Sequence, residues 1–511
     1  MPGAHINSTQ LSRIETSLLP IREKDFGYPQ ARHLLLRAGF GGTDEQIRTL
    51  ARWGPKAAVD HLLDYTDIPA QADPPDAFDS NIIRPRSQAE QREIRRARQN
   101  GDEDTLARFR TMRQQAQRAD RNQMRQIQRW WITRMIQTPR PFEEKMTLFW
   151  HGHFATSYRT IEDSYHMYAQ NRMFRHYAIG NFADLLRGII RDPAMLRYLN
   201  NNQNRKSSPN ENLARELMEL FSLGEGNYTE RDIKDGAKAL TGFTYQDDAF
   251  FYNKNNHDNT IKHILGVTGN LDADGFVNAI LRSQACAPFI CAKLYKFFVA
   301  DIPTDVKALK GPTRTVVRKM SIMLQQHHYE LKPILRRLFL SRHFYDPSVM
   351  GTKIKSPAEL VVGSIRSLNA PPRNMSIIAD AMDKMGQSVF MPPSVKGWDG
   401  GRSWINTSTL FVRQNTLVYL LTGRQANRNF VERTNYDPTG LVASMNDPRL
   451  DRNPPSELIA NELLDLALGH RPAGAAQSLV EAAHKVDQPN TAKGITTMLT
   501  LITSMPEYQL C

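Results

Sequence analysis

The chain has 511 residues, 40% of them hydrophobic, enough for a substantial buried core in one large domain or a few ordinary ones. Its 66 basic and 53 acidic residues leave a net charge of +13, which favours an anionic partner without being extreme for this length. Three cysteines (Cys286, Cys291 and Cys511) exclude a disulfide scaffold and match neither a CxxC zinc pattern nor a catalytic-cysteine signature. No apolar run approaches the roughly 20 residues of a membrane helix.

In chain order, residues 31–65 predict three short helices. Gly39 and Gly41-Gly42 break the first, Thr43 caps the second, and Gly54-Pro55 separates it from the third. Residues 66–86 hold several prolines and read as a linker. Residues 84–140 carry 15 arginines against six acids, a local balance of +9, in a pattern that predicts a long helical hairpin turning near Asn100-Gly101. Such an arm is either a polyanion-binding face or a solvated arm with partial charge pairing. Aromatic residues are sparse there before Trp130-Trp131, which argues against base stacking on nucleic acid. From Pro141 helix follows helix, residues 209–223 and 230–240 being the best signed, and strand alternation is scarce. The expected fold is all-α, a large multi-helical domain with an Arg-rich helical hairpin arm and long functional loops at 150–163, 200–210, 242–275 and 386–409. The expected organisation is an N-terminal helical segment (1–80), the arm (84–140), a core domain with the polar motifs (141–430) and a C-terminal helical segment packed on it (431–511).

Five stretches hold residues suited to chemistry. In Phe149–Ser157 (FWHGHFATS), Gly152 makes continued helix unfavourable. An extended backbone would place His151 and His153 on one face, as half of a metal site or as two hydrogen-bonded core histidines. In Ser208–Gly224, Ser208 with Glu211 predicts a capping box, Pro209 the first turn and Gly224 the C-terminal cap. Helical spacing then puts Asn212, Arg215, Glu216 and Glu219 on one stripe, able to hold a metal or to split two carboxylates into acid and base. The alternative is an amphipathic helix with its polar side in water. His257-Asp258 in a polar loop, followed by Lys262 and His263, could ligate a metal, relay a proton or form a solvated turn. Asn200–Asn204 offers amides that orient hydroxyls, Asn204 among them, or simple turn chemistry. Residues 392–407 place Trp398, Arg402 and Trp404 in a glycine-rich loop suited either to stacking on a sugar face or to plugging the fold. P-loop, GxGxxG, GxSxG and HExxH patterns are all missing.

Taken in order, HLLLRAGFG, FWHGHFATS, RDPAMLRYLNNNQN, PNENLARELMELFSLGEGNYTERDIKDGAKALTG, HDNTIKHILG and VKGWDGGRSWINTSTL resemble a bacterial family catalogued as domain of unknown function 1800, over roughly residues 33 to 415. The resemblance implies that His151, His153, Asn204, Asn210, Asn212, Arg215, Glu216, Glu219, His257, Asp258 and Trp398 occupy motif positions. Family members often look exported. The N-terminus here, MPGAHINSTQLSRIETSLLP, lacks the charged-then-apolar order of a signal peptide and reads as cytoplasmic.

Three functions fit these residues. The first is a metal-dependent hydrolase: His151, His153, His257 and Asp258 hold a divalent zinc, manganese or iron ion, and Glu216, Glu219, Arg215, Asn212 and Asn204 serve catalysis. The second is an acid–base hydrolase or lyase acting without a metal on a glycan, with Trp398, Trp404, Arg402 and Lys262 binding an acidic polysaccharide or other polyanion. The third is a non-catalytic scaffold whose polar motifs form an internal hydrogen-bond network and whose arm docks a partner.

Overall fold

The computed structural model describes residues 15–71, 78–371, 373–425, 432, 436–445 and 454–511. Within these residues it has 22 α-helices and two small antiparallel sheets, so the all-α expectation stands. Among the described residues no helix is long and apolar enough to cross a membrane.

Helices α1 (Tyr28–Gly39) and α2 (Asp44–Leu63) form an N-terminal pair. Thr43 caps α2, and α2 kinks at Gly54, whose φ of 79° sits in the left-handed region. The arm follows as α3 (Gln88–Asn100) and α4 (Glu103–Gln137), hinged at Gly101 with φ 68°, where the sequence predicts the turn. The capping box that starts α3 is Ser87 with Glu90. Ile94, Ala97 and Phe109 are buried between the arm's helices but stand apart from the main core. The C-terminal half of α4 enters that core through Met124, Ile127, Trp131 and Met135.

Helix α5 (Pro141–His153) is the central rod, buried on almost every side. Its charges are therefore paired. Glu144 accepts from Arg134 Nε at 2.6 Å, Arg175 Nε at 2.6 Å and Trp131 Nε1 at 2.8 Å. Lys145 donates to Glu359 at 2.6 Å. A buried charge left unpaired would cost several kcal/mol, roughly 3–5 when one partner is removed.

Around this rod pack α6 (Tyr158–Ile161), α7 (Ser164–His176), α8 (Phe182–Ile189), α9 (Pro193–Tyr198), α10 (Asn212–Met218) and α11 (Glu230–Ala239), then α12 (Ala273–Arg282), α13 (Cys286–Phe298), α14 (Gly311–Gln326) and α15 (Leu331–Leu340). The chain continues through α16 (Pro357–Ser367), α17 (Met375–Lys384), α18 (Thr407–Thr422) and α19 (Thr439–Ser444) to α20 (Ser456–Leu468), α21 (Ala475–His484) and α22 (Ala492–Ser504). One hydrophobic core runs from Leu18 to Tyr508 and takes in Leu463, Met498 and Ile502 of the last helices.

Two local expectations change. The loop at 242–275 contains two hairpins: β1 (Phe243–Gln246) pairs with β2 (Ala249–Tyr252), and β3 (Lys262–Ile264) with β4 (Val267–Gly269). Strands of three or four residues are too short to show a period of two. Helix α10 begins at Asn212, not Pro209, and the Ser208–Glu211 box does not form. Instead the Asn210 side chain accepts the Asn212 N–H at 3.0 Å. A π-helical turn, Glu219–Leu223, extends α10 and stops at Gly224, φ 80°, as the glycine cap predicts.

Candidate functional site

His151 and His153 lie in the last turn of α5, not on an extended strand. Gly152 stays helical because the Trp398 ring packs on it: a Cβ there would stand 3.6 Å from that ring. Helical residues two apart diverge by roughly 200°, so the two imidazoles point apart. His151 Nε2 accepts the Phe390 N–H at 2.9 Å, with its ring edge-on to Trp131 and Trp398. His153 Nε2 is 2.9 Å from the Phe221 carbonyl. A carbonyl only accepts, so the proton sits on Nε2 and Nδ1 keeps its lone pair. That Nδ1 is buried and, among the described residues, has no hydrogen-bond partner. Burial pushes both histidines down to about 3, which leaves them neutral. Phe221 lies in the π-helical turn, whose changed bonding frees a carbonyl for His153. The FWHGH and ELMELFSLG motifs are thus joined by one hydrogen bond.

The glycine-rich loop closes over the same helix end. Gly397 has φ 81°, and a Cβ there would overlap the Gly152 carbonyl oxygen. This contact of two glycines seats Trp398 against α5. Below the loop lies a cavity of about 140 Å³ walled by Phe149, His153, Trp398 and Trp404. Four lysines line it: Lys293 and Lys296 from α13, Lys353, and Lys396 from the loop. Lys293, Thr304 and Lys396 also line an adjoining cavity of about 620 Å³ that reaches Glu219 and the π-helical turn. The two form one cleft.

Its charges are unequally satisfied. Lys396 pairs with Asp399 at 3.0 Å, and Lys296 donates to the Asp399 carbonyl at 3.1 Å. Lys353 stands 3.6 Å from Glu359. Burial opposes the charge of Glu359, but Lys145, Lys353 and the Ser356 N–H outweigh it and hold the carboxyl far below its usual range. Lys293 has a π contact, with its Nζ 5.1 Å from the Phe289 ring centre, and among the described residues it makes no hydrogen bond or ion pair. Burial, then Lys296 and Lys396, push Lys293 down to about 8. Trp398 Nε1 is a second buried wall atom without a hydrogen-bond partner among the described residues.

The other sequence candidates are placed differently. Glu219 lines the cleft and accepts from the Tyr228 hydroxyl at 2.6 Å. Glu216 is half-buried beside it; burial and then Glu219 push its carboxyl up, but it lines neither cavity. Arg215 turns outward to Glu230 and Glu211 at 3.0 and 3.2 Å. Asn212 is exposed. Asn204 is a buried bracket: it donates to Asn201 and to the Ala237 carbonyl and accepts the Asn210 N–H. Arg402 is exposed beside the buried Trp404, outside the cavity lining. His257 Nδ1 contacts the Thr241 carbonyl at 2.9 Å, and Asp258 Oδ1 accepts from Thr260. Lys262 is fully buried and donates to the carbonyls of Asp258 and Thr260 at 2.7 and 3.0 Å, so it holds the loop rather than a substrate.

His151, His153, His257, Asp258, Glu216 and Glu219 therefore do not converge as a ligand set. Among the described residues, the one group of three or more histidine, cysteine or acidic side chains whose donor atoms gather is Asp163, His166 and Asp248. Sequence reasoning passed over Lys293, Lys296, Lys353 and Glu359. Their signal was faint: two lysines three apart in the apolar run CAKLYKFF mark one basic stripe on a buried helix.

The chain has a helical fold with a lysine-lined, tryptophan-walled cleft at the end of its central helix. The chain belongs to the family described as Protein of unknown function (DUF1800), which matches residues 33–510. No curated protein and no solved structure matches it.

Proposed function

We propose that the cleft binds an anionic, ring-bearing substrate of the acidic-saccharide class and performs acid–base chemistry on it. The observation that carries this is the convergence of four lysines on a cavity walled by Trp398 and Trp404. Tryptophan faces suit sugar rings, and ammonium groups suit carboxylates or sulfates. Elimination beside a carboxylate fits these groups better than hydrolysis by a carboxylate pair. Glu359 is locked in its ionised form and so does not provide the raised acid that hydrolysis needs, and Asp399 is exposed and paired with Lys396. In elimination, Lys293 Nζ in its neutral form would take the proton from the carbon next to the substrate carboxylate. A carbon–carbon double bond forms, the bond to the leaving oxygen breaks, and that oxygen takes up a proton from water. Lys296 and Lys353 would hold the carboxylate.

The metal-dependent hydrolase reading has no gathered ligands at this cleft. The test is calorimetric titration with uronate oligosaccharides and their neutral counterparts, followed by ultraviolet detection of unsaturated product. Binding of the acidic series alone, weakened about tenfold in Lys353→Met, is the expected result. Equal binding of the neutral series, or none of either, would reject the proposal.

A further inference from the structure

A second site lies away from the cleft, where the first turn of α7 meets the β1–β2 hairpin. Asp163 is the N-cap of α7 and accepts the His166 N–H at 3.1 Å. This local capping leaves the other carboxylate oxygen of Asp163 3.6 Å from His166 Nδ1. The hairpin pairs Gln246 with Ala249, so its two-residue turn is Asp247-Asp248. The turn brings Asp248 Oδ1 to 3.1 Å, and the Asp247 carbonyl to 3.2 Å, from His166 Nε2. One donor atom each from Asp163, His166 and Asp248 falls within 4.8 Å of the others.

We propose that this cluster is a binding site for one divalent transition-metal ion, held by His166 Nε2, the Asp248 carboxylate and the Asp247 carbonyl, with Asp163 orienting the ring from its other side. Ligands about 2.0 Å from a tetrahedral zinc ion are roughly 3.3 Å apart, close to the separations of Nε2 from the two oxygens. A carboxylate facing the second ring nitrogen is the usual support of a metal-bound histidine. His166 is 3% exposed, yet among the described residues its Nδ1 has no hydrogen-bond partner. A metal on Nε2 requires the ring proton on Nδ1, where it points at Asp163.

The surroundings favour a cation. Among the described residues, no lysine or arginine forms an ion pair with Asp163 or Asp248. Nitrogen and oxygen donors without sulfur suit zinc, manganese or iron(II). The site shares no residue with the cleft, so the two proposals stand or fall separately.

The test uses the full chain, stripped with a chelator and dialysed against zinc or manganese chloride, with bound metal read by elemental analysis and affinity by calorimetry. The expected result is one ion per chain, lost in Asp248→Asn and weakened 10- to 100-fold in Asp163→Asn. Asp248 is on a hairpin turn and 32% exposed at its side chain, so Asp248→Asn keeps the fold, and circular dichroism checks this. His176→Gln, an exposed histidine on the same helix, should bind as wild type. Absence of saturable binding, or equal binding by Asp248→Asn and wild type, would overturn the proposal.

Discussion

At the residue scale, protonation is set by burial. Lys293 is pushed down to about 8, and only its neutral form can take a proton. Turnover of an acidic saccharide should therefore rise with pH through about 8 and level off above it. Lys293→Met should lower kcat by ~100-fold or more while changing substrate Kd little. A flat pH–rate profile for the wild type would remove Lys293 as the base. His151 and His153 make a separate prediction about stability. Both are lowered from 6.5 to about 3, so the stability they support is present above pH 6.5 and is lost as pH falls toward 3. The loss should be on the order of 1 kcal/mol per pH unit for each histidine. Urea titrations across that range should show a shallower decline in a His151→Gln variant.

At the scale of elements, the site depends on how a loop meets a helix. Gly397→Ala puts a Cβ onto the Gly152 carbonyl oxygen at a φ of 81°. It should cost ~1–3 kcal/mol and displace Trp398, seen as a lower melting temperature and a change in tryptophan fluorescence. The arm makes its own prediction. Arg84, Arg108 and Arg110 pair with acids on the arm, whereas Arg92, Arg95, Arg96 and Arg98 are exposed on α3 and form no ion pair among the described residues. If this face docks a polyanion, heparin affinity should fall steeply between ~50 and ~200 mM salt. Changing these four to glutamine should flatten that slope. A wild-type affinity indifferent to salt would show the arm to be a solvated strut.

At the scale of the whole molecule, the C-terminal segment supports the cleft. Backbone pairing joins Lys353 to Cys511 and Lys355 to Gln509, and Lys355 Nζ stands 4.0 Å over the Tyr508 ring. The segment that carries cleft-lining Lys353 is thus clamped by residues more than 150 positions away. Tyr508→Ala removes a side chain that is 3% exposed, together with its hydrogen bond to Ser364. It should destabilise the chain by ~3–5 kcal/mol and weaken ligand binding at a distance. Near-ultraviolet circular dichroism of the cleft tryptophans should lose its signal in the same transition as far-ultraviolet helicity.

The sequence alone determined the helical class, the hinge at Gly101, the Thr43 cap and the Gly224 stop. These follow from local rules: periodicity, capping and the freedom of glycine act over a few residues. It also picked out His153, Trp398 and Trp404, which wall the cavity at the end of α5, and Glu219, which lines the adjoining cavity. Tertiary structure decided what each polar residue does. Gly152 should have ended α5, but packing against Trp398 carried the helix through it and turned His151 and His153 apart. Asn204, His257 and Lys262 look functional as letters but are spent on backbone groups that the fold buried. The lysines of the cleft and the Asp163–His166–Asp248 cluster were not legible as sets, because Lys353, Lys396 and Asp248 come from segments distant from Lys293–Lys296 and Asp163–His166. No local rule reports that two distant segments meet; only burial of the core brings them together.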